Sequence, residues 1–369
     1  MMIEYLKIAY SGCDVDAAIF RPSEGQAEWH LMFHPSAEDS FEKQYACIKN
    51  ALDAFIADKA GAVPVFMRWF LSDSANQQKT VEADDYSCAV SIIEQPPLDG
   101  TKVGLWVWLA EGATAKYADG IWETEFAGAR HLWTAKECRT EGDSEKQTGD
   151  MFKDYSAMLE GRGCTLKDNC LRTWLFVQNI DVNYKGVVKG RREFFSEKGL
   201  TADTHYIAST GIAGRVADAE SSVIMDTYAV EGISENQIRF LKGSTHLNPT
   251  HEYGVTFERG TTVDHADRRH VFISGTASID NKGEIVHTGD ISGQTLRMIE
   301  NVGVLLNEAG CDFENIAQII VYLRDISDYR KVAGIINERF PSHPKTFLWA
   351  PVCRPGWLVE MECIAVKVQ

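Results

Sequence analysis

No stretch of this 369-residue chain approaches the roughly eighteen apolar residues of a membrane span. Its opening, MMIEYLKIAYSG, lacks both the basic region and the apolar core of an export signal. A cytoplasmic protein with no membrane partner is therefore expected. None of the nine cysteines stands in CxxC spacing, and the number is odd, so reduced and mostly buried thiols are expected rather than a disulfide framework or a structural zinc. Of the ten histidines only His30 and His34 stand four apart. The Leu-Met-Phe between them reads as strand, where that spacing holds two rings about 13 Å apart, too far to share a metal. HExxH is absent, and neither a metal nor a cofactor is expected. Basic residues are also short: the net charge is −16, which repels polyphosphates and disfavours a nucleic-acid partner or a ribonuclease role. An anionic ligand would have to be gripped by a few arginines gathered in one cleft.

With 44% hydrophobic and 24% charged residues, the chain has the composition of a globular protein with ample core. Its main feature is internal repetition. Residues 147–181 lie over 294–328 without a gap, sharing Gln147/Gln294, Thr148/Thr295, Met151/Met298, Leu159/Leu306, Gly163/Gly310 and Cys164/Cys311, with Asn169 and Asn315 one residue out of step. In each copy apolar residues recur at three- and four-residue spacing, an amphipathic helix, and a glycine closes it. The apolar runs Cys170–Val177 and Ile316–Leu323 then read as buried strands. A more divergent third copy runs from Gln44 through Gly61 into Val63–Leu71. The closing strands Val103–Ala110, Val223–Val230 and Val359–Val366 also correspond.

Three units of about 123 residues each follow, within the usual domain range. Their expected bounds are 1–112, 113–250 and 251–369. Between the repeats, Glu111–Ala127 reads as a linker, Glu235–Leu241 as a short helix, Thr256–Arg259 and Arg269–Ser274 as strands, and Asn281–Gly283 as a hairpin turn. Each unit then reads β-β-α-β-α-β-β, an α+β arrangement with helices on one face of a mostly antiparallel sheet. Such a sheet must hide its other face. Three sheets in one chain can hide theirs against each other in a pseudo-threefold barrel, placing clefts between units and leaving a monomer complete.

In the third unit, Phe272–Ser278, Asp290 with Gln294, Ala309-Gly310, Val321–Asp325 and Val359–Ala365 resemble the RidA/YjgF (endoribonuclease L-PSP) proteins, which are homotrimers of a chorismate-mutase-like fold with ligand sites between subunits. That resemblance implies an imine or enamine deaminase whose substrate carboxylate is held by the arginine of a Pro-Ala-Arg motif. This chain has Pro344-Lys345-Thr346, with threonine in place of that arginine. Residues 165–369 further resemble the chorismatases, fused pseudo-trimers that hydrolyse chorismate to pyruvate and a cyclohexadiene diol or hydroxybenzoate. The matching residues are Arg172-Thr-Trp174, Gly190-Arg191, Ala208 with Thr210-Gly211-Ile212, Phe257-Glu-Arg259, Ser274–Ser278 and Cys353-Arg354-Pro355 with Leu358-Val-Glu360. After Ser278 the chain runs Asp280-Asn-Lys-Gly283, where chorismatases carry a short Gly-His segment.

Splitting an enol ether requires a proton delivered to its methylene carbon. Residues two apart on a strand share a face, so Glu360 and Glu362 project together, and burial with mutual repulsion should raise one pKa into the range of a general acid. The resemblance gives that role to Glu360 and places Cys353 at the catalytic pocket, where it bears on which product forms. It also implies substrate binding by Arg172, Arg191, Arg259 and Arg354, with Thr210 and Gly211 lining the site; guanidinium groups pair bidentately with carboxylates. The expected partner is a small anionic carboxylate. Alternative expectations are a RidA-like deaminase or a non-catalytic protein that binds a small acid in the same cleft.

Overall fold

The computed structural model describes residues 3–59 and 61–369. The first sheet is built from β1 (Glu4–Tyr10), β2 (Cys13–Phe20), β3 (Glu28–Pro35), β4 (Ala62–Leu71), β5 (Ala89–Glu94) and β6 (Val103–Glu111), with helices α1 (Phe41–Asp58) and α2 (Ser74–Glu82). The second contains β7 (Thr114–Ala118), β8 (Ile121–Phe126), β9 (Ala129–Cys138), β10 (Cys170–Val177), β11 (Ala208–Ala213) and β12 (Val223–Glu231). Its helices are α3 (Ser144–Glu160), the single turn α4 (Leu166–Asn169) and α5 (Ile180–Glu197). The third contains β13 (Ile238–Leu241), β14 (Gly260–Asp264), β15 (Arg268–Ala277), β16 (Ile316–Leu323), β17 (Lys345–Trp349) and β18 (Val359–Val368), with α6 (Ile291–Glu308) and α7 (Tyr329–Arg339).

All three sheets share one strand order: β1-β2-β3-β6-β4-β5, β7-β8-β9-β12-β10-β11 and β13-β14-β15-β18-β16-β17. Among the described strand pairs, only β4/β5, β10/β11 and β16/β17 run parallel, each joined by a helical crossover. Even the bulge repeats, at Pro64/Phe66, Cys170/Arg172 and Ile316/Gln318.

Several expectations need correction. Each unit opens with three strands before its first helix, not two. The expected linker at Glu111–Ala127 is the hairpin β7–β8, turning at Asp119 and Gly120, both left-handed with φ of 54° and 82°. An Asp-Gly dipeptide suits that turn, because both residues tolerate positive φ. Glu235–Leu241 forms one short 3₁₀ turn followed by β13, whose pairing with β14 overrides its helical spacing. The third sheet therefore starts ahead of the expected bound at residue 251. Thr256–Arg259 precedes β14 rather than forming it.

Along the strands, alternate side chains serve two cores. In the first sheet Trp29, Leu31, Phe33, Leu105, Val107 and Leu109 pack beneath α1 with Ile48, Leu52 and Phe55. Met32, Phe66, Trp106 and Trp108 point the other way, into a common centre with Trp133, Trp174 and Tyr228 of the second sheet and Phe272, Ile320 and Ile364 of the third. The three helix-free faces thus hide one another, as two-layer packing demands. Among the described residues, no helix is long and apolar enough to cross a membrane.

Candidate active site

Where β11 and α5 of the second sheet meet β15 and β18 of the third, a cavity is lined by Arg191, Gly211, Arg259, Gly275, Cys353, Arg354 and Glu360, among others. Six of the eight expected site residues therefore share one cavity wall. Arg172 and Thr210 lie immediately behind it, nearly inaccessible to solvent.

Glu360 owes its position to the middle of a sheet: β18 pairs it with Tyr322 on one side and Ala277 on the other, and the side chain is 4% exposed. In β15 the register shifts between Ile273 and Thr276, lifting Ser274 and Gly275 out of the ladder. A Cβ on Gly275 would lie 2.0 Å from Glu360 Oε1, so only glycine leaves room for the carboxyl group. The Gly275 amide donates to Thr210 Oγ1 at 2.9 Å, tying the bulge to β11.

The two glutamates of this strand face have separate fates. Glu362 accepts hydrogen bonds from Trp174 Nε1 at 3.0 Å, Arg172 Nη2 at 2.9 Å and Thr210 Oγ1. Glu360 is raised from the ordinary carboxyl range to about 8, first by burial and then by the charge of Glu362, while Arg172 and Arg259 pull in the opposite direction. One carboxylate held in an ion pair beside another kept largely protonated at neutral pH is the division that acid catalysis uses.

Arg172 corrects an expectation: its guanidinium is committed to Glu362, to Thr210 and, at 3.4 Å, to Ser274, and lies 4.7 Å above the Trp174 ring. It pairs with Glu362 and does not face the cavity. Thr210 likewise relays between Arg172, Glu362 and Gly275. Around the cavity, Arg191 donates to Thr256 Oγ1 at 3.2 Å and Ser209 Oγ at 3.3 Å. Arg259 donates from Nη2 to the Asn248 carbonyl at 3.0 Å and side-chain oxygen at 3.1 Å, and Arg354 sits 5.5 Å over the Trp357 ring. The Cys353 thiol is pushed up to about 12 by burial and by Glu360, so it is a thiol, not a nucleophilic thiolate, at neutral pH. Sequence reasoning missed Tyr184, whose ring packs where a Cβ on Gly211 would come within 3.0 Å, and also Ser209 and Trp357. Nothing in the sequence marks Tyr184, because α5 meets the third sheet only in the folded chain.

The repeat places comparable clefts at the other two junctions. Between the third and first sheets, a cavity of about 360 Å³ is lined by Lys7, Asp14, Asp16, His34, Asp99, Lys345 and Thr346, among others. His34 lies 3.6 Å from both Asp16 and Asp99. Between the first and second sheets, a cavity of about 270 Å³ is lined mainly by Tyr86, Tyr117, Trp122 and Glu137. Strand register aligns Ser91, Thr210 and Thr346 across the three, opposite Arg68, Trp174 and Ile320. Among the described residues, no group of three His, Cys, Asp or Glu is placed to hold a metal.

A family model described as endoribonuclease L-PSP matches residues 262–367. A RutC family protein of Pyrococcus abyssi is 38% identical over 100 residues, 26% of this chain and 78% of that protein. The human 2-iminobutanoate/2-iminopropanoate deaminase is 31% identical over 102 residues, 27% of this chain and 74% of the enzyme. A chorismatase crystal structure superposes with a TM-score of 0.66, covering 82% of this chain and 92% of its own at 18% identity, a likeness of fold. Through the strands and helices of its third sheet, the chain belongs to the RutC and endoribonuclease L-PSP family.

Proposed function

We propose that this chain is a chorismatase-like hydrolase that cleaves the enol ether of chorismate or a related cyclic dicarboxylate and releases pyruvate. The observation carrying this reading is Glu360, a carboxyl group raised to about 8 in a cavity lined by three arginines. Glu360 protonates the methylene carbon, and the resulting oxocarbenium ion adds water. The proton lost by that water returns to Glu360. As the hemiketal collapses, its hydroxyl proton leaves, the bond to the ring oxygen breaks, and that oxygen gains a proton. Substrate plus water thus gives pyruvate and the ring alcohol, with the acid restored. Arg191, Arg259 and Arg354 neutralise the substrate carboxylates, Gly211 leaves room for Tyr184, and Cys353 shapes the pocket beside the acid and so bears on which product forms. Arg172 and Thr210 are positioning residues that fix Glu362 and the Gly275 bulge.

The cavity has about 20 Å³ of free space, room for about one water molecule, so admitting a substrate requires a wall to yield. The deaminase reading is weaker here. Its carboxylate-holding arginine is replaced by Thr346, and the register-equivalent Ser91 and Thr210 are also short hydroxyl residues. Because one chain supplies all three sheets, a monomer of 41.2 kDa is complete. The test is pyruvate release from chorismate by the purified protein, with the ring product identified by chromatography. Glu360→Gln should slow turnover by a factor on the order of 10³, within the range for loss of a general acid. Undiminished turnover in that variant overturns the reading.

A further inference from the structure

On one side the arginine cavity is bounded by an anchored loop. The loop carrying Arg354 to Trp357 is anchored by Gln294, whose Nε2 donates to the Gly356 carbonyl at 3.0 Å and whose Oε1 accepts from the Leu358 amide at 2.9 Å. The loop packs so closely on Ile285 that a Cβ on Gly356 would lie 2.4 Å from Ile285 Cδ1. On the other side lies a much larger cavity of about 770 Å³, which has Arg259 as a wall in common with the first. This volume is within the range of pockets that enclose small ligands.

The charge of the larger cavity runs against that of the chain. Overall there are 53 acidic and 37 basic residues, yet Arg239, Lys242 and Arg259 line it against Glu235 and Glu258. Glu258 accepts the Tyr206 amide at 2.8 Å, and burial raises its carboxyl pKa. Arg239 and Lys242 are both solvent-exposed. A local cationic surplus in a low-dielectric cleft raises the rate at which an anion arrives.

We infer that an anionic substrate reaches Glu360 through this larger cavity, past Arg259, guided by Arg239 and Lys242 at its rim. The inference rests on the hydrolase reading for its substrate class, a dicarboxylate. Opening the path requires Arg259 to exchange its two bonds to Asn248 for the incoming carboxylate, which places the moving wall on this side and not at the Gln294-anchored loop.

The experiment follows chorismate association by stopped-flow tryptophan fluorescence in a Glu360→Gln background, where turnover does not intrude. Reversing both rim charges with Arg239→Glu and Lys242→Glu should lower the association rate about tenfold at low salt, with the gap closing toward 1 M salt as screening shortens to a few ångströms. Lys79→Glu with Lys153→Glu makes the same change in net charge on exposed helix positions away from the cleft and should have a much smaller effect. Equal effects from both pairs, or none from the rim pair, overturn the inference. Wild-type protein that binds chorismate without releasing pyruvate overturns the hydrolase reading alone, leaving the association rates to judge the path. No association at all overturns both.

Discussion

The cleft between the second and third sheets takes its walls from β11, α5, β15 and β18, and the cleft between the third and first takes its own from their counterparts β17, α7 and β3 together with β1 and β2. The first holds arginines and a proton-bearing glutamate. The second holds a histidine clamped by two aspartates, flanked by two lysines. A shared backbone plan therefore fixes where clefts open, while single side chains at inward positions fix what each can do. Glu360 illustrates this: strand register aligns it with Ile224 in the second sheet and Gly104 in the first, opposite Tyr322, Phe176 and Phe70. The repeat provides that acid once. The protonation of the two clefts differs for the same reason. Burial and Glu362 push Glu360 up to about 8, whereas Asp16 and Asp99 overcome the cost of burial at His34 and hold its pKa up at about 9.

The comparison breaks most visibly at Gly275. Alanine there drives a methyl group into the Glu360 carboxylate, and a displacement of about 1 Å in a catalytic group costs roughly a hundredfold in kcat. Turnover of chorismate by Gly275→Ala within a few-fold of wild type would remove Glu360 from the chemistry.

Next in size is the pH dependence. A general acid at about 8 in the free protein predicts a kcat/KM that is flat below that value and falls about tenfold per pH unit above it, measured by pyruvate release at substrate well below KM. The linked stability has a definite sign. The folded chain keeps a proton that the unfolded chain gives up near 4.5, so stability falls as pH rises from about 4.5 to 8. Denaturant titrations of Glu360→Gln should lack that slope.

The smallest effect belongs to the other cleft. His34 is raised above its unfolded value of 6.5, so its contribution is full below that pH and lost as pH rises through about 9. With 28% of its side chain exposed, water screens the pairs, and His34→Asn should cost only about 1 kcal/mol at pH 6 and close to nothing at pH 10 by thermal or chemical melting. A substantial loss at pH 10 would mean that the ring matters for packing and not for charge.

Much of this was legible in the chain. The strands Cys170–Val177 and Ile316–Leu323 agree with the sequence reading to the residue, because a buried, β-branched or aromatic run bounded by a helix-ending glycine permits few alternatives. The repeated glutamines have a physical reason. Gln44, Gln147 and Gln294 each accept the backbone amide of a residue just before the last strand of their sheet, at Lys102, Ser222 and Leu358, so each helix is pinned to its own sheet by the same side chain. The hairpin β7–β8 was less visible, since its polar, exposed alternation resembles a linker until the Asp119-Gly120 turn is weighed.

The sequence by itself determined the threefold repetition, the separation of apolar faces and the residue types of the site, because periodicity and side-chain chemistry are local properties. Only the tertiary structure decided which charges meet. Arg172 lies on the second sheet, and its partner Glu362 is 190 residues away on the third. Tyr184, Arg191 and Glu360 come together only when α5, packed on its own sheet, is brought beside the third. The acidity of Glu360 is also a tertiary outcome, since it depends on burial and on a neighbour whose charge is held by groups from another sheet.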